Sequence, residues 1–252
     1  KPEEDKPFFL YLSFMNPHDI CYGAGFDPRF PDKLRPHQIA ATQKYINFRK
    51  TLSEEEYRNQ IPPVPANMEP NGAYAEMKEI GSGSRSWTEE QWDFYRWMYC
   101  RLVEDVEKQI GRILTALADA GLADNTIVVF TSDHGEMGQS HGLVFKSQLL
   151  EEATRTPLII AGPGIQKGIV DSKNLTCGID LVPTMCDLAG IPIPKGLSGK
   201  SLKPILTGQT VKMSRNHIIV ESSSGYQIHD GRYKYTAFTR YYLAATKHFS
   251  FA

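Results

Sequence analysis

At 252 residues, with 41% apolar and 23% charged side chains, the chain is long enough to bury a full core, as one large domain or one domain with a small appendage. That balance belongs to an ordinary globular protein and excludes a disordered one. A formal net charge of −1 gives no global field for nucleic acid or an acidic membrane, so any handling of an anionic substrate has to be local.

The opening stretch KPEEDKPFFLYLSF reads as a charged lead-in to a buried strand over 7–14, as in a chain entered partway through. The strand ends in MNPHDI, a turn built on Asn16-Pro17. Residues 21–86 are rich in proline and glycine and lack clear periodicity, which predicts a long excursion with a short helix or two, one of them in TLSEEEYRNQ. From Thr88 the pattern becomes helical. Thr88 and Gln91 form a capping box, apolar residues recur from Phe94 through Trp97, Met98 and Leu102 to Leu117, and Gly121 closes the helix. Nothing on that stripe needs to be more than core.

After Asn125 the run TIVVFTS is β-branched and apolar on both faces, which predicts a central parallel strand. A helix around SQLLEEATR, a strand PLIIAG and a helix GIDLVPTMCDLAG capped by Gly190 follow. Strands alternating with helices predict an α/β fold with a doubly wound, mostly parallel sheet over 1–212. The last forty residues change character. HIIVE, GYQIHD and GRYKYTAF predict a small antiparallel subdomain over 213–252, with a turn at Asp230-Gly231.

In doubly wound sheets, ligands bind beyond the carboxyl ends of the strands. His18 follows one strand end and Asp133 another, where TSDHGEMGQSHGLVFK (131–146) gathers an acid, two histidines and a lysine in a glycine-rich loop. Where the backbone turns, Asp133 and His134 can face one divalent ion, or they can simply close a hydrogen-bonded turn; oxygen with nitrogen does not choose between calcium and zinc. Lys146 either completes a cationic pocket for a tetrahedral anion or is solvated. His141 binds a substrate oxygen or caps its loop. His18 either holds its proline turn or serves as general acid to a leaving alkoxide. Arg155 pairs with Glu151 or Glu152 to brace the fold.

Other signals carry less. Cys21, Cys100, Cys177 and Cys186 have neither metal-ligand nor disulfide-framework spacing. SGKS at 198–201 is not a phosphate loop, because Pro194 takes the place of its first glycine. Asn174-Leu175-Thr176 is a glycosylation sequon. No apolar stretch is long enough to span a bilayer.

The segment TIVVFTSDHGEMGQSHGLVFKSQLLEEATRTPLIIAGPG resembles the sulfatase family of the alkaline phosphatase superfamily, whose pattern is strand, D-[HN]-G, G-x-H, a lysine, then E-E-x-x-R-x-P and another strand. PFFLYLSFMNPHD, GIDLVPTMCDLAGIPIPKGLSGKSLKPILTG and GRYKY resemble further segments of that family in the same order. The resemblance implies an alkaline-phosphatase-like fold, Asp133 and His134 as calcium ligands, Lys146 and His18 holding the sulfate and assisting the departing oxygen, and His141 as a substrate-side contact. It also implies a formylglycine nucleophile made from C/S-x-P-x-R, and no such motif occurs in these residues. The chain therefore reads as the C-terminal portion of a sulfatase acting on a sulfated carbohydrate or other sulfate ester, in a periplasmic, secreted or lysosomal setting, with no nucleic-acid partner. Two alternatives stand beside this reading. One is a metal-dependent phosphomonoesterase or phosphodiesterase of the same superfamily. The other is an inactive module that binds glycan or anion.

Overall fold

The computed structural model describes residues 6–21, 36–69, 87–211, 213 and 215–239. Parts of the predicted excursion (22–35 and 70–86) and the end of the predicted C-terminal subdomain (240–252) lie outside them. The chain divides into two compact units, Lys1–Pro63 with Trp87–Thr115, and Val64–Ser86 with Ala116–Ala252.

In the first unit the predicted strand over 7–14 is not paired with any other among the described residues. Phe9 and Tyr11 are 74% and 79% exposed. An apolar run states a demand for burial, but a strand exists only where a neighbour supplies hydrogen bonds. The Asn16-Pro17 turn forms as expected, with a cis peptide bond.

The excursion holds α1 (Pro36–Thr51), a longer helix than its sequence suggests, and α2 (Glu54–Arg58), the short helix expected in TLSEEEYRNQ. Helix α1 escapes a periodicity reading because Ala40, Tyr45, Ile46 and Phe48 do not line one face; Pro36 at its first position is its main local signal. Helix α2 begins at a capping box, with Ser53 Oγ accepting from the Glu56 amide and Glu56 Oε2 accepting from the Ser53 amide.

Helix α3 (Glu89–Asp119) is the predicted long helix. The Thr88 hydroxyl accepts from the Gln91 amide and Gln91 Oε1 accepts from the Thr88 amide. At the far end Leu122 N–H reaches Leu117 O and Gly121 N–H reaches Ala118 O, with Gly121 at φ 67. This is the paired closure that a C-terminal glycine allows. Trp97, Met98 and Leu102 are fully buried, each worth about 1.5–3 kcal/mol. Trp97 packs against Phe48 and Tyr57, at 5.9 and 5.6 Å between ring centroids. Asp105 ties α3 to α1 by accepting from Lys44 Nζ and the Tyr45 hydroxyl.

In the second unit β1 (Val128–Thr131) and β2 (Leu158–Ala161) pair antiparallel, with Val128 opposite Ala161 and Thr131 opposite Leu158. Both strands lie where the sequence predicts them, but they pair antiparallel where TIVVFTS was expected to be a central parallel strand, because an apolar β-branched run marks burial and not strand direction. Each has one neighbour among the described residues, which leaves Ile159 60% exposed. The helix expected over SQLLEEATR contracts to α4 (Glu151–Thr154). The carbonyls of Ser147 and Leu149 accept instead from the distant Ser224 hydroxyl and Gln227 side-chain amide.

A short turn over Gly178–Asp180 leads into α5 (Leu181–Leu188), which Gly190 closes as α3 is closed. Helix α6 (Lys203–Leu206) precedes the predicted antiparallel sheet, β3 (Ile218–Ser222), β4 (Gly225–His229) and β5 (Lys234–Phe238), in that order. Asp230 makes its turn by accepting from the Arg232 and Tyr233 amides, while Gly231 takes φ 96.

A buried ion pair fixes the approach to that sheet. Arg215 bonds both oxygens of Asp180, at 2.6 and 2.7 Å, and the amides of Cys177 and Lys200 donate to the same carboxylate. This assigns a structural use to the SGKS stretch: its Lys200 amide binds a carboxylate of the protein itself. Nearby, Asn174 Nδ2 donates to Asp171 Oδ2, and Asn174 Oδ1 accepts from the Met213 amide.

Candidate active site at the end of strand β1

Strand β1 delivers Asp133 and His134 two and three residues beyond its last residue, and the loop is fixed immediately afterwards. The Gly135 amide donates to Ala153 O at 2.9 Å. A Cβ at Gly135 would lie 1.9 Å from Glu152 O, so only glycine lets the loop sit this close to α4. Beneath the loop Met137, Leu143 and Ala153 form a buried apolar cluster that Leu150 flanks.

Asp133 and His134 lie close together beyond the strand end. The Asp133 side chain is 84% exposed, and its Oδ2 lies 3.4 Å from His134 Nε2. The other oxygen, Oδ1, accepts from the His134 amide at 3.0 Å. His134 Nδ1 lies 2.9 Å from Gly135 O, which can only accept, so Nδ1 carries the hydrogen. In the neutral ring Nε2 is then the acceptor nitrogen, 3.4 Å from a carboxylate oxygen with which it makes no hydrogen bond. Two acceptors this close can share one cation.

The donor set fits a divalent cation as two of its ligands, since oxygen ligands stand about 2.3–2.6 Å from calcium and a 3.4 Å separation lets both atoms touch one ion. Among the described residues no group of three or more His, Cys, Asp or Glu side chains could hold a metal alone.

His141 is placed differently. It takes a left-handed backbone, φ 56, and its side chain is only 11% exposed. Its amide donates to Asn67 O at 2.8 Å. Asn67 Nδ2 donates to Glu152 Oε1 at 2.7 Å and stands 3.3 Å from His141 Nε2. Asn67, Glu152 and His141 line an open pocket of about 430 Å³ with Glu151, Gln227 and Lys234. Glu151 and Lys234 form an ion pair there, and that bond holds the Glu151 carboxyl below its ordinary range. Asn67 carried no sequence signal, and Glu152 was legible only as a partner for Arg155. The expected Arg155 brace exists as a long contact, 3.8 Å to Glu151.

Gln139 (φ 82), His141 (φ 56) and Phe145 (φ 70) are the non-glycine residues at positive φ among those described, and all three lie in this loop. Each such residue costs about 1–3 kcal/mol and persists only where its surroundings fix it. Lys146 follows the last of them and is half-buried. His18 belongs to the first unit, on the 16–19 turn, with its amide donating to Met15 O at 3.0 Å.

A model of the sulfatase family matches residues 1–191, and a model described as N-sulphoglucosamine sulphohydrolase, C-terminal, matches 139–246. The chain is 33% identical over 242 residues to the Delta 4,5-hexuronate-2-O-sulfatase of Bacteroides thetaiotaomicron, covering 92% of this chain and 48% of that protein. Among solved structures it is similar to a 2-O GAG sulfatase, at TM-score 0.68 and 28% identity, covering 88% of this chain and 48% of the other. It is also similar to a phosphonate monoester hydrolase from Silicibacter pomeroyi, at TM-score 0.61 and 28% identity, covering 70% and 42%. The chain thus spans about half the length of such relatives. The fold is the α/β alkaline-phosphatase-like one, with helices and a small antiparallel sheet of three strands toward the C-terminus. The match over 1–191, carrying the D-H-G loop with it, shows that the chain belongs to the sulfatase family.

Proposed function

We propose that the full-length protein hydrolyses sulfate esters on a carbohydrate, and that this chain supplies part of the metal shell and the cations that hold the sulfate. The observation that carries the reading is the Asp133–His134 pair, two acceptors 3.4 Å apart at a strand end, with the ring orientation fixed by Gly135 O. The named activity of the hexuronate-2-O-sulfatase supports a sulfated sugar as the substrate class.

In this reading Asp133 Oδ2 and His134 Nε2 hold calcium, which when bound neutralises charge on the sulfate oxygens. Lys146 binds the same anion. The nucleophile is a formylglycine hydrate from outside these 252 residues, since none of them forms a C/S-x-P-x-R motif. His18 would give a proton to the leaving oxygen as the ester S–O bond breaks. His141 stands on the substrate side. A periplasmic, secreted or lysosomal setting goes with this chemistry, and among the described residues no helix is long and apolar enough to cross a membrane.

Peptide mapping of the protein from its native source tests the nucleophile directly; finding no cysteine or serine converted to formylglycine would remove it. Lys146→Ala and His18→Ala in the full-length protein should each lower sulfate-ester turnover by about 10²-fold or more with the circular dichroism unchanged. Wild-type rates in both variants would end the assignment.

The likeness to a phosphonate monoester hydrolase favours a second reading, hydrolysis of phosphonate or phosphate esters at the same loop. Paired aryl sulfate and aryl phosphonate substrates separate the two. Faster turnover of the phosphonate, with zinc rather than calcium in the purified protein, would select the second.

A further inference from the structure

We propose that Glu136 is a positioning residue for Lys146, acting through the Phe145 peptide rather than by touching substrate. This rests on the reading above, in which Lys146 holds the anion.

The chain is buried at Leu143 and Val144, half-buried at Phe145 and Lys146, and exposed at Ser147. Phe145 is therefore where the backbone leaves the core, and it does so at φ 70, a conformation that favours glycine. The direction in which Lys146 departs is set at that residue. Both backbone polar groups of Phe145 return to the start of the loop. Its amide donates to Glu136 Oε1 at 2.6 Å, and its carbonyl accepts from the Met137 amide at 2.9 Å. Met137 is itself locked in the apolar cluster under the loop.

Glu136 thus closes the neck of a loop that starts beside the proposed metal pair and ends beside the proposed anion-binding lysine. A glycine at 145 would take the same backbone without help. With phenylalanine there, the turn depends on the carboxylate, and a charge-assisted bond from an amide is a strong way to hold it. The bond needs an acceptor at the end of a side chain of this length. Glutamine meets that requirement without the charge, and alanine does not.

The test is structural first and kinetic second, in the full-length protein. In crystals, Glu136→Ala should let Phe145 return to negative φ and displace Lys146, whereas Glu136→Gln should leave both in place. A Glu136→Ala structure with Phe145 still left-handed and Lys146 unmoved overturns the proposal. In sulfate-ester turnover, Glu136→Ala should lose on the order of ten-fold and Glu136→Gln less than about two-fold. Glu136→Ala should add nothing further in a Lys146→Ala background, because the effect runs through that lysine. Full additivity of the two losses also overturns it. If Phe145 moves in Glu136→Ala while Lys146→Ala turns over at the wild-type rate, the positioning stands and the sulfate reading of Lys146 falls. Should Glu136→Ala not fold, Glu136→Asp withdraws the acceptor by one methylene and is read in the same way.

Discussion

Asp133 and Asp180 each lie in a loop of the second unit, and the fold treats them oppositely. The Asp180 side chain is fully buried and receives Arg215 on both oxygens, with two backbone amides besides. The Asp133 side chain is 84% exposed, and its Oδ2 lies 3.4 Å from an imidazole nitrogen without a hydrogen bond to it. A carboxylate whose lone pairs are all answered from within the protein is a brace. One held out against a second acceptor has room for something the protein does not itself contain. The same unit therefore keeps one acid for folding and leaves another for chemistry.

The most direct way to break that contrast is to remove the brace. Asp180→Ala leaves Arg215 buried without its counter-ion and strips two amides of their acceptor. A loss of about 3–5 kcal/mol is expected, read by urea denaturation. Asp133→Ala in the same assay should stay within about 0.5 kcal/mol of wild type, since nothing buried depends on it. An equal loss for both would erase the distinction.

Between these extremes stands Gly135→Ala. The new Cβ falls on the Glu152 carbonyl and pushes apart the bond from Gly135 to Ala153. A cost of roughly 1–3 kcal/mol is expected, and unlike Asp180→Ala it should also disturb the loop chemistry. Wild-type stability in this variant would mean that the loop does not sit against α4.

Acid sharpens the comparison. Burial alone would raise the Asp180 carboxyl, but Arg215 and the Lys200 and Cys177 amides outweigh it and hold it below the usual range. Folding lowers this value, so the stabilisation is complete above the ordinary carboxylate range, about pH 4, and is lost as pH falls through the depressed folded value. Asp180→Asn should flatten that part of the acid-stability curve. A curve in Asp180→Asn that falls as steeply as wild type would move the linkage to another group. The smallest effect on the fold is also the most telling for function: calcium should raise the melting temperature of the full-length protein, and Asp133→Ala should abolish that rise without lowering the metal-free value.

Much of this was legible from residue order alone, and for identifiable reasons. Thr88, Gln91 and Gly121 announce helix α3 because capping is local, needing only a few neighbouring residues. Asp133 and His134 were legible as a pair because adjacent residues at a strand end have few ways to turn. The strand over 7–14 was not, because its sequence states apolarity and says nothing of the neighbour a strand requires. Helix α1 was hidden because its apolar residues share no face. Asn67 and Glu136 were hidden for a third reason. Asn67 acts through Glu152 and His141, far along the chain, and Glu136 through the Phe145 amide across a loop, and a lone polar residue gives no pattern until the chain has folded around it.

The Asn174 side chain carries a consequence for maturation. Its Nδ2, the atom that a glycan would occupy, already bonds Asp171, and its Oδ1 holds the Met213 amide. A transferase meeting the folded chain would find its acceptor nitrogen engaged. In a host that glycosylates secreted proteins, attachment at this sequon therefore competes with closure of a loop, and the fraction of molecules bearing sugar at Asn174 becomes a clock for how soon after synthesis residues 171–174 fold.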